Sequence, residues 1–116
     1  MPSAQLLTEL LALTEDTART AGAMVRDHRP ADLGVADTKS SPTDVVTGMD
    51  RRSEARLQGL LLAARPDDGL LAEEGSSRPS SSGITWVVDP IDGTVNYLYD
   101  IPAYCVSVAA VLGDPS

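Results

Sequence analysis

Aromatic residues, cysteine and histidine are scarce in this sequence. Aromatic side chains make up 3% of its 116 residues, phenylalanine is absent, and there is one cysteine and one histidine. A hydrophobic core must therefore be built mainly from Leu, Val and Ala. The single Cys105 cannot close an internal disulfide bond, and its apolar surroundings predict a buried structural thiol. The length is that of one domain or part of one.

Long apolar runs and an excess of basic residues are also missing. The longest apolar-looking run, residues 103–112, is too short to span a bilayer, and the N-terminus lacks the pattern of a signal peptide. We therefore expect a cytoplasmic protein. Seventeen acidic residues against nine Lys and Arg give a net charge of −8, which disfavours nucleic acid and anionic membranes as partners. A phosphorylated substrate would need bound cations to reverse the local field.

Two helices are predicted in the first half of the chain. Apolar residues at intervals of three and four predict an amphipathic helix over residues 4–28, which Pro30 prevents from continuing. The polar stretch up to Pro42 suits a loop or a short edge strand. The apolar positions of this first helix are Leu7, Leu10, Leu11, Thr14, Ala18, Ala21 and Val25.

The second helix is predicted to follow a capping pattern. Thr47 and Asp50 have the spacing of an N-cap and an acid at the third helical position, so the helix should begin at Thr47. It should end at Arg65 and Pro66. Its predicted apolar face consists of Leu57, Leu60, Leu61 and Ala64.

Three strands are predicted in the second half. Residues 70–72 form a short apolar run, residues 84–88 a nearly continuous β-favouring run typical of a strand covered on both faces, and residues 104–112 a third strand. The Ser, Gly and Pro-rich stretch 75–83 predicts a loop. Pro90 is expected to stop the second strand because it cannot donate a ladder hydrogen bond.

Carboxylates lie where two of these strands end. Asp89 and Asp92 flank a turn, so both can project toward one point beyond the sheet, and the Ile91 carbonyl between them can add an oxygen ligand. Glu73, at the end of a different strand, could supply another. Hard cations such as Mg²⁺ prefer oxygen ligands, and no histidine lies nearby, so a magnesium-like site is predicted rather than a zinc site.

The same segment belongs to a pattern of three ordered motifs. The sequence WVVDPIDGTVNY at residues 86–97 resembles the signature of the inositol monophosphatase family, among the magnesium-dependent, lithium-sensitive phosphatases. KSSPTDVVT at residues 39–47, followed by Asp50, and LAEE at residues 71–74 match the family in the same order. Asp-Pro-x-Asp-Gly alone is a good turn sequence, and the two upstream matches favour the metal site over that structural role.

The resemblance implies an α+β protein with the layered αβαβα sugar-phosphatase fold. This chain would supply its N-terminal part, with two helices and strands of a mainly antiparallel sheet, as residues 1–116 of a truncated domain. Family members carry a later Trp-Asp segment that completes the second metal site. Since these 116 residues lack it, we expect them to be inactive alone, and a homodimer is expected for the complete protein.

The resemblance also assigns the metal ligands. Glu73, Asp89 and the Ile91 carbonyl would hold one Mg²⁺, and Asp89 and Asp92 would share a second. Asp92 would also border the substrate. Asp89 would thus bridge the two ions.

Further residues receive catalytic roles from the same resemblance. Thr94 would pair with Glu73 or Asp50 to position and deprotonate the attacking water. The backbone amides of Gly93 and Thr94 would hold the phosphate, as free N–H groups at a helix start can do. Lys39 would lie on a loop that closes near the metals. Taken singly, Lys39 could equally be a solvated surface charge and Asp50 a helix-start acid.

The implied activity is a Mg²⁺-dependent phosphomonoesterase that directs metal-activated water at inositol monophosphate or a similar sugar or cyclitol phosphate. Phosphatases acting on histidinol phosphate, 3′-phosphoadenosine 5′-phosphate or fructose 1,6-bisphosphate remain alternatives, because downstream family residues separate them. An inactive metal-binding or dimerisation fragment is the alternative from a different class.

Overall fold

Two long helices pack on one face of a small mixed sheet. The computed structural model describes residues 3–29, 42–73, 75 and 77–113. Of the helices in these ranges, none has an apolar stretch that could cross a lipid bilayer. The elements are α1 (Ala4–Asp27), α2 (Pro42–Ala64), β1 (Gly69–Ala72), β2 (Ser77–Arg78), β3 (Ile84–Asp92), α3 (Thr94–Leu98) and β4 (Cys105–Leu112).

Helix α1 confirms the first predicted helix. The Ser3 hydroxyl accepts a hydrogen bond from the Leu6 N–H at 3.0 Å and caps its first turn. The predicted apolar face was partly wrong, because Leu7 and Leu11 are exposed. The side chains that α1 buries lie one turn apart toward its C-terminal end and are Thr17, Ala21 and Val25.

Helix α2 begins earlier than its capping pattern predicted. It starts at Pro42, so Thr47 and Asp50 lie inside the helix and are not its cap and first-turn acid. Proline suits a first helical turn because its missing N–H would have no intrahelical acceptor there. The helix ends at Ala64 as predicted. Of the predicted apolar face, Leu57 and Leu61 are fully buried, Leu60 is half-buried and Ala64 is exposed.

The strand order in the described residues is β2-β1-β3-β4, with β1 parallel to β3 and the other two pairings antiparallel. Strand β2, only two residues long, lies in the predicted loop. Gly69 opens β1 with no room for a side chain, since a Cβ there would lie 2.9 Å from the Arg78 carbonyl oxygen. The two long helices and this mixed sheet confirm the predicted α+β class.

The core lies between the helices and the sheet. Most of its buried side chains are Leu, Val and Ala, as predicted, but the fully buried rings of Trp86 and Tyr97 are its largest members. Val106 and Val108 of β4 pack toward the helices, so Cys105 and Ser107 alternate onto the opposite face. That placement makes Cys105 exposed, and the predicted burial of its thiol was wrong.

A buried carboxylate ties the end of α2 to the sheet. Asp68 is 1% exposed and accepts hydrogen bonds from Trp86 Nε1 at 2.9 Å and Ser82 Oγ at 2.7 Å. Its Oδ2 atom also forms an ion pair with Arg65 Nε. Asp68 thereby satisfies the only polar group of the central indole ring.

We expect Asp68→Ala to lower the free energy of unfolding by about 2 kcal/mol or more, because the Trp86 N–H would stay buried without an acceptor. Urea titration followed by tryptophan fluorescence measures this. The neighbouring Asp67 is exposed, so Asp67→Ala is the matched control and should change little. Equal effects of the two variants would contradict the role given to Asp68.

Helix α3 is fastened to α1 by two exchanged contacts. The Tyr97 hydroxyl donates to the Val25 carbonyl at 3.0 Å, in the last turn of α1. In return, the Arg29 guanidinium donates to the carbonyls of Tyr97 at 2.8 Å and Leu98 at 2.9 Å, at the end of α3. The final carbonyls of a helix have no intrahelical donor, so each helix end is satisfied by the other segment.

Burial raises the pKa of Tyr97 from 10.0 to about 12, with a smaller contribution from Tyr104. The folded state therefore resists deprotonation of this phenol. Its contribution to stability is full below pH 10 and is lost as the pH rises toward 12.

Tyr97→Phe should remove about 1.5 kcal/mol of stability at neutral pH, because the Val25 carbonyl loses its buried donor. It should also weaken the loss of stability at alkaline pH. The control is Tyr99→Phe, because Tyr99 is 64% exposed and its hydroxyl is not buried in the core. Chemical denaturation of both variants from pH 7 to 11 checks this, and parallel pH profiles would refute it.

Candidate metal centre

Strand β3 contains a bulge in the middle of the signature motif. Asp89 pairs with Ser107 and Asp92 with Cys105, so Pro90 and Ile91 together face the single residue Val106. The prediction that Pro90 stops the strand was wrong, since β3 continues to Asp92. A bulge accommodates proline because the extra residue needs no ladder hydrogen bond.

The bulge places two carboxylates on the same face of the sheet. Before it, Trp86 and Val88 pack toward the helices; after it, Ile91 does, in a cluster with residues of α1 and α2. Side chains alternate along a strand, so Asp89 and Asp92 both project from the opposite face. In a regular strand, residues three apart would face opposite sides. The common direction of Asp89 and Asp92 thus arises from a bulge within the strand, and not from the turn that was expected after it.

Glu73 joins this face from the neighbouring strand. Ala72 is in register with Val88, and the Glu73 N–H donates to the Val88 carbonyl at 3.0 Å, which continues the parallel pairing of β1 and β3. Ala72 packs toward the helices, so the exposed Glu73 follows on the face that carries Asp89. Glu73, Asp89 and Asp92 therefore belong to one end and one face of the sheet.

The electrostatics of Asp89 reflect this crowding. Burial raises its pKa, and the negative charges of Asp92 and then Glu73 raise it further, while a hydrogen bond from the Ile91 N–H opposes them. Its Oδ1 atom is buried without a hydrogen-bond partner among the described residues. A partly buried carboxylate with an unsatisfied oxygen and two acidic neighbours is stabilised by a cation.

The donors present fit a hard cation. They are carboxylate oxygens together with the Ile91 carbonyl, which accepts a hydrogen bond from Thr94 Oγ1 at 3.2 Å. Within the described ranges, no three His, Cys, Asp or Glu side chains come close enough to hold an ion by themselves. The ladder also brings the Cys105 thiol opposite Asp92, a proximity that the sequence did not reveal.

Thr94 and Asp50 meet in a cavity of about 220 Å³ between α2 and α3. Asp50 is buried inside α2, beyond the first turn where a capping acid would lie, and it faces α3 across this cavity. Among the described residues, the Thr94 hydroxyl donates its hydrogen bond to the Ile91 carbonyl and not to Glu73. Of the two partners predicted for Thr94, the structure brings Asp50 into the same cavity.

Gly93 is required where the chain leaves the bulge. Its φ of 86° lies in the left-handed region, and a Cβ would stand 2.7 Å from the Ala103 carbonyl oxygen. An open cavity of about 390 Å³ lies beside it, lined by Asp92, Gly93, Asn96, Ala103, Tyr104 and Cys105. The predicted site residue Lys39, and Glu74 of the acidic pair, lie outside the described residues.

Ser53 is a functional candidate that the sequence pattern does not mark. Its hydroxyl donates to the Pro90 carbonyl at 2.8 Å, in the centre of the bulge. No local signal marks it, because a single serine within a helix usually bonds its own helix or solvent. Only the packing of α2 against β3 brings the two groups together.

Comparison with known proteins identifies the family of this chain. The model of the "Inositol monophosphatase family" matches residues 6–114. The inositol-1-monophosphatase SuhB of Mycobacterium tuberculosis is 42% identical over 118 residues, which cover 90% of this chain and 41% of that protein. A histidinol-phosphatase of Chlorobaculum parvum is 35% identical over 103 residues, covering 89% of this chain and 39% of the relative.

A solved structure agrees with the same assignment. The structure of Mycobacterium tuberculosis SuhB superposes with a TM-score of 0.72 at 40% sequence identity, covering 91% of this chain and 36% of that one. The chain thus spans about two fifths of the length of the relatives it matches. Because the family model matches residues 6–114, nearly the whole of this chain, the chain belongs to the inositol monophosphatase family.

Proposed function

We propose that this chain supplies the metal-binding carboxylates of a magnesium-dependent phosphomonoesterase that hydrolyses inositol monophosphate or a similar sugar or cyclitol phosphate. The observation that carries the proposal is the bulge, which turns Asp89 and Asp92 to the face where Glu73 follows β1. The resemblance to the lithium-sensitive phosphatases of this family also implies inhibition by lithium. The relatives named inositol-1-monophosphatase support the substrate class.

Glu73, Asp89 and the Ile91 carbonyl would hold one Mg²⁺, and Asp89 and Asp92 a second. Bound Mg²⁺ supplies a water of lowered pKa and neutralises charge on the phosphate. The unsatisfied Oδ1 of Asp89 and the acidic neighbours that raise its pKa support this assignment. A cation bound there would remove the repulsion among the three carboxylates.

The remaining predicted residues would orient the reactants. Thr94 is held beside the face that carries Asp89 and Asp92 by its hydrogen bond to the Ile91 carbonyl, and it shares a cavity with Asp50. Thr94 and Asp50 can therefore align and deprotonate a water. The Gly93 and Thr94 amides would bind phosphate oxygens. The cavity beside Gly93 is of a size that suits a small phosphate ester. These groups supply positioning, which provides most of the catalysis in phosphoryl transfer.

Histidinol phosphate is the second candidate substrate. The named histidinol-phosphatase relative favours it, since it matches nearly the same part of this chain. The carboxylates act on the phosphate and not on the alcohol, so they do not distinguish the two esters. Comparing hydrolysis of inositol 1-phosphate and histidinol phosphate separates them directly.

Asp89→Asn should lower the affinity for Mg²⁺ and reduce phosphate release by about 100-fold or more, because it removes the carboxylate predicted to bridge both ions. Calorimetric titration with Mg²⁺ measures binding to this chain. Phosphate release is measured on the longest polypeptide that the reading frame encodes.

The matched control is Asp67→Asn, which changes an exposed aspartate in the turn before β1. It should leave both Mg²⁺ affinity and phosphate release unchanged. Wild-type activity in Asp89→Asn, with unaltered Mg²⁺ binding, would sink the proposal. Mg²⁺ binding that depends on Asp89, without any phosphatase activity, would instead identify a metal-binding module.

A further inference from the structure

We propose that Ser53 is a positioning residue for the candidate metal centre. Its hydroxyl would hold the bulge in the register that turns Asp89 and Asp92 to one face. The inference rests on the proposed function for its catalytic meaning, while its structural part concerns the register of β3 and β4 and can be tested without metal.

The contact is buried and specific. Ser53 is 0% exposed, and its Oγ donates to the Pro90 carbonyl at 2.8 Å across the interface between α2 and β3. Pro90 is itself fully buried. A buried carbonyl without a donor carries a desolvation cost, so the bulge needs a hydrogen bond at this atom.

The ladder is poorly placed to supply that donor. Pro90 and Ile91 present two carbonyls opposite the single residue Val106, and the Ile91 carbonyl accepts from Thr94 Oγ1. Proline also has no N–H of its own through which β4 could fix its position. Ser53 is therefore the side chain that compensates the Pro90 carbonyl for its displacement from regular pairing.

The competing arrangement is a regular strand. Continuing the pairing of Asp89 with Ser107 without a bulge would place Ile91, instead of Asp92, opposite Cys105. A shift by one residue moves a side chain to the other face, so Asp92 would then point toward the helices. Loss of the Ser53 hydroxyl should thus weaken metal binding through the position of Asp92, without touching a metal ligand.

The test compares Ser53→Ala with Thr17→Val. Thr17 is a buried helical residue on α1, away from the bulge, so Thr17→Val removes a buried hydroxyl at nearly constant volume. In metal-free protein, NMR cross-strand NOEs report whether Asp92 or Ile91 lies opposite Cys105. We expect Ser53→Ala to shift intensity toward the Ile91 contact and Thr17→Val to keep the wild-type pattern.

The metal readout follows from the same variants. Ser53→Ala should weaken Mg²⁺ binding about 10-fold to 100-fold, as loss of a supporting residue commonly does, and Thr17→Val should not. In the longest encoded polypeptide, saturating Mg²⁺ should restore most of the phosphate release of Ser53→Ala, since Ser53 touches no reactant. If Ser53→Ala does not fold, Ser53→Cys, with a weaker donor of similar shape, should give smaller changes in the same direction.

The outcomes separate this inference from the proposed function. Unchanged register and Mg²⁺ affinity in folded Ser53→Ala or Ser53→Cys, with Asp89→Asn defective, would overturn the role of Ser53 alone. Wild-type protein that binds no Mg²⁺ would overturn the proposed function, and the NOE comparison would still decide whether Ser53 holds the register. Equal changes in Thr17→Val would reduce Ser53 to a general contributor to stability.

Discussion

The candidate metal centre depends on one extra residue in a strand. Side chains alternate between the faces of a sheet, so two aspartates three positions apart in a regular strand point in opposite directions. The bulge at Pro90 and Ile91 corrects the alternation and brings Asp89 and Asp92 to one face. It also returns Ile91 to the core, where contacts with α1 and α2 hold the motif from behind.

The chemistry of that face requires a rigid support because its charges repel one another. The Asp89 carboxyl has a raised pKa from burial and from its acidic neighbours, an arrangement that opposes folding unless a cation offsets it. Support comes from outside the motif. Tyr97 and Arg29 exchange hydrogen bonds between α3 and the end of α1, so the segment that follows Asp92 is anchored to the core. Stability elsewhere thus permits an unfavourable cluster at the site.

Much of this architecture could be predicted from the sequence. Periodicity located α1, β1 and β4, and three ordered motifs identified the family. The convergence of Asp89 and Asp92 was predicted for the wrong reason, because a proline in a strand can mark either its end or a bulge. Ser53 favours the bulge over the strand end, and it lies 37 residues away in the chain. The local sequence around Pro90 cannot reveal so distant a contact. The burial of Cys105 was wrongly predicted for a similar reason, since composition gives a strand's apolarity but not which of its faces packs against the helices.

Divalent cations are expected to bind at the face that carries Glu73, Asp89 and Asp92. Paramagnetic Mn²⁺ broadens the NMR signals of amides near its binding site, so a titration of this chain maps the site directly. We expect the amide signals of residues 73, 89, 91, 92, 105 and 107 to broaden first and Mg²⁺ to reverse the effect. Broadening centred on other acidic residues, such as Asp67 or Asp27, or spread evenly over the acidic surface, would contradict it.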